Sequence, residues 1–245
     1  MSLTIGRGER VGLAARSGEG KSTLARFLLG LEKDTEGAVT IEGLSAVRFA
    51  AAYPGQLTVI SQNYLDAVDP ALSVAEILVE PVQLALTRAK SAERDKLLAL
   101  LNEQVLAERL AQVGLPAKLL PAHARSLSGG ELKRVCIARA LITNPRFVVF
   151  DEALSSLDAL VQSRILELIE TLADRGAAWL FISHDLRVLS RLCDRILFLQ
   201  GGHIVEDVPS QSLAHAQSPA ARELVEAALA RHISHQSVVD HGTKQ

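Results

Sequence analysis

One stretch near the start of the chain limits its fold more than any other: Ala15-Arg16-Ser17-Gly18-Glu19-Gly20-Lys21-Ser22-Thr23. A short apolar run, Val11 to Ala14, precedes it, and Leu24 to Leu29 follow with apolar residues at helical spacing. A strand, a glycine-rich turn and a helix in this order are typical of a phosphate-binding loop, because free backbone N–H groups and the positive end of the helix dipole face the anion. An ordinary glycine-rich turn is the alternative, and this stretch alone does not exclude it.

The residue types within this loop predict separate tasks. Lys21 supplies a mobile positive charge for the β- and γ-phosphates, and the Ser22 hydroxyl is placed to ligate Mg²⁺. Ala15 stands where the usual pattern has its first glycine. A side chain there matters only if the backbone needs a positive φ, which costs an L-residue roughly 1–2 kcal/mol.

Composition sets the broad class of the protein. The chain has 245 residues, of which 48% are hydrophobic and 22% are charged, so it can form one large α/β domain or a domain with a subdomain. A net charge of −2 argues against a nucleic-acid-binding surface. The two cysteines, Cys136 and Cys193, lie in apolar or helical stretches and are expected to be buried free thiols. No membrane helix or signal peptide is recognisable, so we expect a cytosolic protein.

Three later apolar runs end in polar side chains and predict buried parallel strands. They are Leu57–Ile60 before Ser61-Gln62-Asn63, Phe147–Phe150 before Asp151-Glu152, and Trp179–Ile182 before Ser183-His184-Asp185. The carboxyl ends of such strands form the edge where open α/β sheets bind ligands. Gln62 could there touch Mg²⁺ or the attacking water, Asp151 would hold Mg²⁺ through a water, and Glu152 would polarise the water that attacks the γ-phosphate. Without Lys21, solvated strand ends would be the simpler interpretation.

The remaining elements complete the expected architecture, a mostly parallel α/β sheet with an inserted helical subdomain. We expect strands at Leu3–Ile5 and Ala38–Glu42, and a hairpin around Gly201-Gly202. The predicted division is a first part of the nucleotide-binding core at 1–70, the helical subdomain at 71–140, the second part of the core at 141–208, and a C-terminal helix with a polar tail at 209–245. Histidines in that tail lack a metal-ligand set and are read as incidental.

A second glycine motif stands at a predicted helix start, Leu127-Ser128-Gly129-Gly130-Glu131. The motif could bind an anion through the serine hydroxyl, the exposed backbone amides of the glycines and the positive end of the helix dipole. On its own, however, such a motif is more often an ordinary capped turn. Further on, Ser155-Ser156-Leu157-Asp158 forms a tight turn into another predicted helix.

Together these motifs resemble those of the ATPase subunit of an ATP-binding cassette (ABC) transporter, with the P-loop NTPase fold and N-terminal antiparallel β strands that this implies. The resemblance covers nearly the whole chain and implies a head-to-tail pair of subunits that clamps ATP. Six residues would act on the nucleotide of their own chain: Lys21, Ser22, Gln62, Asp151, Glu152 and His184. Ser128, Gly129 and Gly130 would contact the γ-phosphate held by the partner chain. Asp158 would lie at the dimer seam, and His184 would contact the γ-phosphate and orient the attacking water.

Within this family the chain is similar to the peptide and nickel importers. The stretch from Ser61 to Pro70 follows that group, and Ala153 after Glu152 favours the nickel branch. This implies four kinds of partner: a second, non-identical ATPase subunit, two inner-membrane permease subunits, and indirectly an extracytoplasmic solute-binding protein. The chain would then lie at the cytoplasmic face of the inner membrane and bind no nucleic acid. Nickel, a metal chelate and a short peptide all remain open as the solute.

Two departures from the family pattern leave alternatives open. Glu131 replaces the usual Gln, for which we expect modest tuning of turnover. No aromatic residue precedes Ala15 to stack on adenine; such stacking is worth on the order of 1–3 kcal/mol, so we expect weak ATP binding or an upstream start. Together with Ala15, the missing aromatic residue leaves a regulatory subunit that binds but barely hydrolyses ATP as one alternative. A cassette ATPase of DNA repair or translation is another, although the long coiled coil or second cassette typical of those proteins does not fit in 245 residues.

Overall fold

A six-stranded sheet forms the centre of the molecule in a computed structural model that describes residues 2–16, 18–32, 38–61, 63, 68–154, 157–173 and 175–228. Its strands are β1 Arg10–Ala14, β4 Leu57–Ile60, β5 Phe147–Asp151, β6 Ala178–Ser183, β7 Arg195–Gln200 and β8 His203–Pro209. They are ordered β4-β5-β6-β1-β7-β8, and all neighbours are parallel except β7 and β8. A separate antiparallel pair is formed by β2 Thr40–Ile41 and β3 Leu44–Ser45. The predicted mostly parallel α/β fold is confirmed.

Helices connect the parallel strands. They are α1 Lys21–Leu28, α2 Ala46–Ala52, α3 Val74–Leu86, α4 Ser91–Ala99, α5 Glu103–Gln112, α6 Gly129–Leu141, α7 Ala159–Ala173, α8 Leu186–Leu192 and α9 at 219–228. The four helices α3 to α6 all lie between β4 and β5 in the chain. The division of the chain into four regions stays a prediction. Within the described ranges, no helix has the length and apolar character needed to cross a membrane.

The two faces of the sheet pack into separate apolar clusters. Along β6, Trp179 and Phe181 belong to the larger cluster, whereas Leu180 and Ile182 belong to the smaller one. Successive side chains of a strand point to opposite faces, and both faces are covered here. The strand therefore consists of an unbroken apolar run.

Aromatic rings fix the centre of the larger cluster. The Phe150 ring of β5 stacks on Phe181 with centroids 4.1 Å apart and meets Trp179 edge-on at 6.5 Å. Phe150 and Trp179 are almost fully buried. This packing aligns β5 and β6, the two strands that deliver the predicted carboxylates and histidine.

Two predicted strands near the N-terminus need correction. Leu3–Ile5 has no regular secondary structure; it packs two side chains on the smaller cluster but joins no strand ladder among the described residues. In the predicted strand Ala38–Glu42 only Thr40–Ile41 pairs, because Glu42 and Gly43 adopt positive φ (50° and 78°) and turn the chain into β3. The antiparallel strands near the N-terminus are therefore β2 and β3.

Several local signals behave as expected. Ser73 and Glu76 form the predicted capping box of α3. The hairpin between β7 and β8 turns at Gly201 and Gly202, both with positive φ. Both cysteines are buried free thiols, and burial raises the pKa of Cys136 to about 11.

The leucine-rich stretch 91–113 forms two helices, α4 and α5. Asn102 interrupts it, since its side-chain oxygen accepts a hydrogen bond from the Gln104 N–H at 2.8 Å and so caps α5. Helix α2, which the sequence analysis left unassigned, begins after a similar cap by Ser45.

Candidate functional site

The strand order brings the predicted polar residues to one edge of the sheet. β6 lies between β5 and β1, with Asp151 opposite Ile182 and Ala14 opposite Ser183. The carboxyl ends of the three strands are therefore level. Glu152 follows β5, His184 follows β6, and the phosphate loop follows β1. All three therefore lie at a common edge of the sheet.

Glycines shape the phosphate loop. Gly18 and Gly20 have φ of 86° and 87°, a region that L-residues rarely adopt, and a side chain at either would meet nothing within 4 Å. Ala15 does not adopt a positive φ, and its methyl group is fully buried in the smaller cluster. Alanine at this position therefore causes no backbone strain.

The Lys21 ammonium lies against the backbone of the loop. As the first residue of α1, it donates hydrogen bonds from Nζ to the Ala15 carbonyl at 2.9 Å and to the Arg16 carbonyl at 2.8 Å. Ser22 and Thr23 continue the first turn of α1. Ser17 and the side chain of Ser22 lie outside the described part of the chain, so their predicted roles stay predictions.

Two charged side chains of the loop contact elements that follow the sheet. The Glu19 carboxylate accepts a hydrogen bond from the Gly201 N–H at 2.6 Å, in the turn between β7 and β8. Arg16 forms an exposed ion pair with Glu223 of α9. Local sequence patterns do not indicate these links, because each joins segments about 200 residues apart.

Glu152 is held in an uncommon backbone conformation. Its φ is 50°, its residue exposure is 8%, and its N–H donates to the Ile182 carbonyl at 3.0 Å. Its carboxylate accepts hydrogen bonds from the His184 backbone N–H at 3.1 Å and faces the His184 Nδ1 at 2.9 Å. A positive φ at a non-glycine residue is uncommon and strained, and such residues cluster at active sites.

His184 joins the buried carboxylate to the open edge of the sheet. About half of its side chain is exposed (52%), while its Nδ1 faces Glu152. With a carboxylate as acceptor, Nδ1 carries the proton, and in the neutral ring Nε2 is then an acceptor. Next to it, Asp185 caps α8, and the hydrogen bond from Arg187 holds the pKa of that carboxyl below its ordinary value.

A buried lysine approaches the same carboxylate. Lys133 of α6 is 3% exposed; burial lowers its pKa, whereas the charge of Glu152 acts in the opposite direction. Asp151, the last residue of β5, is also buried. No role of Lys133 was predicted from the sequence, in which it is a charged residue within the apolar face of α6.

The second glycine motif forms a complete capping box. Ser128 precedes α6, its N–H donates to Glu131 Oε2 at 2.8 Å, and its hydroxyl donates to the same oxygen at 2.7 Å. The Glu131 N–H donates to the Ser128 hydroxyl at 3.3 Å. These bonds to Ser128 hold the pKa of Glu131 below its ordinary value. A side chain at Gly130 would meet nothing within 4 Å, so the start of α6 is open.

Two further predicted residues have different outcomes. Asp158 is exposed, and its Oδ1 accepts a hydrogen bond from the Val161 N–H at 2.9 Å in the first turn of α7. It therefore caps a helix at the surface, and its place at a subunit seam stays a prediction. Gln62 lies outside the described residues, so its roles also stay predictions.

Comparison with known proteins shows the family to which this chain belongs. Residues 1–155 match the family model described as ABC transporter. A nickel import ATP-binding protein NikE from Rhodospirillum rubrum is 39% identical over 236 residues, which cover 93% of this chain and 81% of that protein. The protein of the same name from Brucella abortus (strain 2308) is 38% identical over 234 residues, which cover 94% of this chain and 85% of that protein.

Solved structures have the same fold. An ATP-binding cassette, solved as a dimer in a post-hydrolysis state bound to ADP and Pi, is 27% identical with a TM-score of 0.71, covering 85% of this chain and 88% of that one. The ATP-binding subunit of an ABC transporter, at 23% identity, has a TM-score of 0.74 and covers 93% of this chain and 90% of that one. These likenesses agree with the resemblance inferred from the motifs.

Proposed function

We propose that this chain, which belongs to the ABC transporter family and is an ATP-binding and ATP-hydrolysing subunit, powers the import of a small solute, with nickel as the favoured cargo. The observation that carries the enzymatic part is the fixed arrangement of Glu152 and His184 at the edge that also holds the phosphate loop. The relatives named for nickel import support the choice of cargo.

ATP would bind with its phosphates in the loop at 15–23. Lys21 now bonds two backbone carbonyls of that loop, and a phosphate oxygen offers its ammonium a charged acceptor in their place. Backbone N–H groups of the loop and the N-terminus of α1 add further donors. The loop therefore supplies charge without a large rearrangement.

Hydrolysis would depend on Glu152 and His184. The Glu152 carboxylate would accept a hydrogen bond from the attacking water and polarise it, and His184 would contact the γ-phosphate. Because the histidine is also bonded to Glu152, each of the two side chains limits the movement of the other. The strained backbone at Glu152 is consistent with a carboxylate held in place for this step.

Residues at this edge also suit Mg²⁺. Asp151 is a buried carboxylate at the end of β5, two strands from the one that leads into the loop, and carboxylate and hydroxyl oxygens are the ligands this ion prefers. Asp151, Ser22 and Gln62 would hold the ion, which when bound neutralises part of the phosphate charge.

The second motif would act on a partner chain. Ser128, Gly129 and Gly130 start α6 with open space in front of Gly130, and they would contact the γ-phosphate bound by the partner, with Asp158 at the seam. We propose a second cassette subunit as partner, which is non-identical in the transporter but can be replaced by a second copy of this chain in vitro. Two inner-membrane permease subunits and an extracytoplasmic binding protein that delivers the solute would complete the assembly. The chain would lie at the cytoplasmic face of that membrane. A related cassette solved as a dimer supports the pairing.

Glu152→Gln tests the enzymatic proposal. The amide can still hydrogen-bond to His184 but polarises water poorly, so we expect ATP hydrolysis by the purified chain to fall at least about a hundredfold while ATP binding is retained, in line with losses on removing a general base. Glu167→Gln, at an exposed position of α7, is the matched control and should leave hydrolysis unchanged. Normal turnover in Glu152→Gln would refute the assigned role.

The same variant tests the cargo. In cells that lack the chromosomal copy of this gene, the intact chain should restore accumulation of radioactive nickel, and Glu152→Gln should not. Restored uptake of short peptides without any effect on nickel would contradict the cargo and leave the ATPase assignment in place.

A further inference from the structure

Two helices of this protein begin with the same capping geometry. At α3, Glu76 Oε2 accepts hydrogen bonds from the Ser73 N–H and hydroxyl, both at 2.7 Å, and the return bond to the Ser73 hydroxyl is 3.3 Å. At α6 the corresponding distances between Ser128 and Glu131 are 2.8, 2.7 and 3.3 Å. The two boxes differ in surroundings, because only the second lies in the motif proposed to face a partner's nucleotide.

The Ser128 hydroxyl has a single proton, and that proton already takes part in a hydrogen bond. It is donated to the Glu131 carboxylate, an ionised and therefore strong acceptor. To donate to a γ-phosphate the hydroxyl must first leave Glu131. The carboxylate would then lose the hydrogen bond from the hydroxyl and keep the one from the Ser128 backbone N–H.

The charge of Glu131 adds to this competition. A phosphate oxygen bonded to the Ser128 hydroxyl would lie within about two hydrogen-bond lengths of the carboxylate, roughly 5–6 Å. The hydrogen bonds from Ser128 hold the pKa of Glu131 low, so the group is ionised at neutral pH. Two negative charges at this separation near a protein surface repel each other by an amount equivalent to roughly a tenfold change in affinity.

We infer that Glu131 is a positioning residue that holds back the Ser128 hydroxyl and opposes closure of the ATP-bound pair. The inference rests on the proposed function, in which Ser128 reaches the nucleotide of the partner chain. With glutamate at this position, pairing requires a higher ATP concentration than it would with an uncharged residue. Release of the pair after hydrolysis is favoured for the same reason.

The variant Glu131→Gln separates the effect of the negative charge of Glu131 from its role in capping α6. Glutamine can also complete a capping box, so the helix start is kept while the negative charge is removed. The assay is ATP-dependent pairing between two copies of the full chain in the Glu152→Gln background, measured by analytical ultracentrifugation. We expect Glu131→Gln to tighten pairing by roughly tenfold at low salt, and this gain to disappear at about 1 M salt, where the screening length is about 3 Å.

Glu76→Gln is the matched control, because it removes the same charge from a box of the same geometry. It should leave pairing unchanged, and binding of ATP to the unpaired chain should be equal in all three proteins. Three results would overturn the inference: no gain for Glu131→Gln, a gain independent of salt, or an equal gain for Glu76→Gln. If ATP drives no pairing in any variant, the shared site of the proposed function is refuted as well. If the chain pairs but Glu131→Gln does not change the pairing affinity, this inference alone is refuted.

Discussion

At the scale of single residues, the chemistry of the site follows from the sequence better than its geometry does. The identities of Lys21, Glu152 and His184 and their positions after strands were sufficient to place them at one sheet edge. The positive φ of Glu152 and its two contacts with His184 were not predictable, because no local residue type requires them. Glutamate is not a residue that a turn with positive φ would ordinarily select.

Two ion pairs beside the sheet predict a dependence of stability on pH. For Glu9 and for Asp194, burial raises the pKa, but the hydrogen bonds from Arg195 to Glu9 and from Arg10 to Asp194 outweigh it, so both pKa values lie below their ordinary range. A carboxyl whose pKa is lower in the folded state stabilises the fold above its unfolded pKa of about 4 and loses that contribution as pH falls through the folded value.

Arg10→Met should remove the part of this effect that belongs to Asp194. At pH 7 the variant should unfold more easily than the original chain, by at most about 1 kcal/mol because the pair is partly exposed. In acid, once the pH has fallen through the lowered pKa of Asp194, the difference should shrink, because this carboxyl is then protonated in both proteins. Urea unfolding at the two pH values measures this, and an equal difference at both would contradict the electrostatic explanation.

At the scale of elements, strands with two buried faces were the easiest to predict. β5 and β6 are continuous apolar runs up to their last residue, which their burial on both sides requires. Short or interrupted elements were missed: α2 has seven residues, and the break between α4 and α5 depends on the cap by Asn102. Leu3–Ile5 has the alternation of a strand but no ladder partner among the described residues, which a local pattern cannot reveal.

The aromatic packing between β5 and β6 makes a direct prediction. Phe150→Ala removes a ring that stacks on Phe181 and meets Trp179, so unfolding should become easier by ~3–5 kcal/mol. Phe150→Leu keeps most of the apolar volume and should cost clearly less. Denaturant unfolding of the three proteins checks this, and equal losses for both variants would show that ring packing is not what aligns these strands.

At the scale of the whole molecule, the order of the strands determines the site. β1 pairs with β6 and β7, which are more than 160 residues away in the chain. Such pairing is not encoded in local patterns, and it entered the sequence analysis through the family resemblance and the rule that ligands bind at strand ends. The resemblance also supplied the partner chain, towards which the described residues offer the open start of α6.

The central claim is that each ATP is held by Lys21 of one chain and Ser128 of the other. Two variants, Lys21→Ala and Ser128→Ala, test this claim most directly. Both are made in the Glu152→Gln background and are labelled for energy transfer between the paired chains. Neither should pair with itself on addition of ATP, because each self-pair has the same defect in both sites. A mixed pair has one site with both defects and one intact site.

We therefore predict ATP-dependent energy transfer in the mixture of the two single variants. The matched control is a mixture of the Lys21→Ala/Ser128→Ala double variant with the undamaged Glu152→Gln chain, which leaves one defect in every site and should not pair. Energy transfer in the mixture of single variants but not in this control is the result that the shared site requires. Equal signals in the two mixtures, or none in the first while undamaged chains pair, would contradict it.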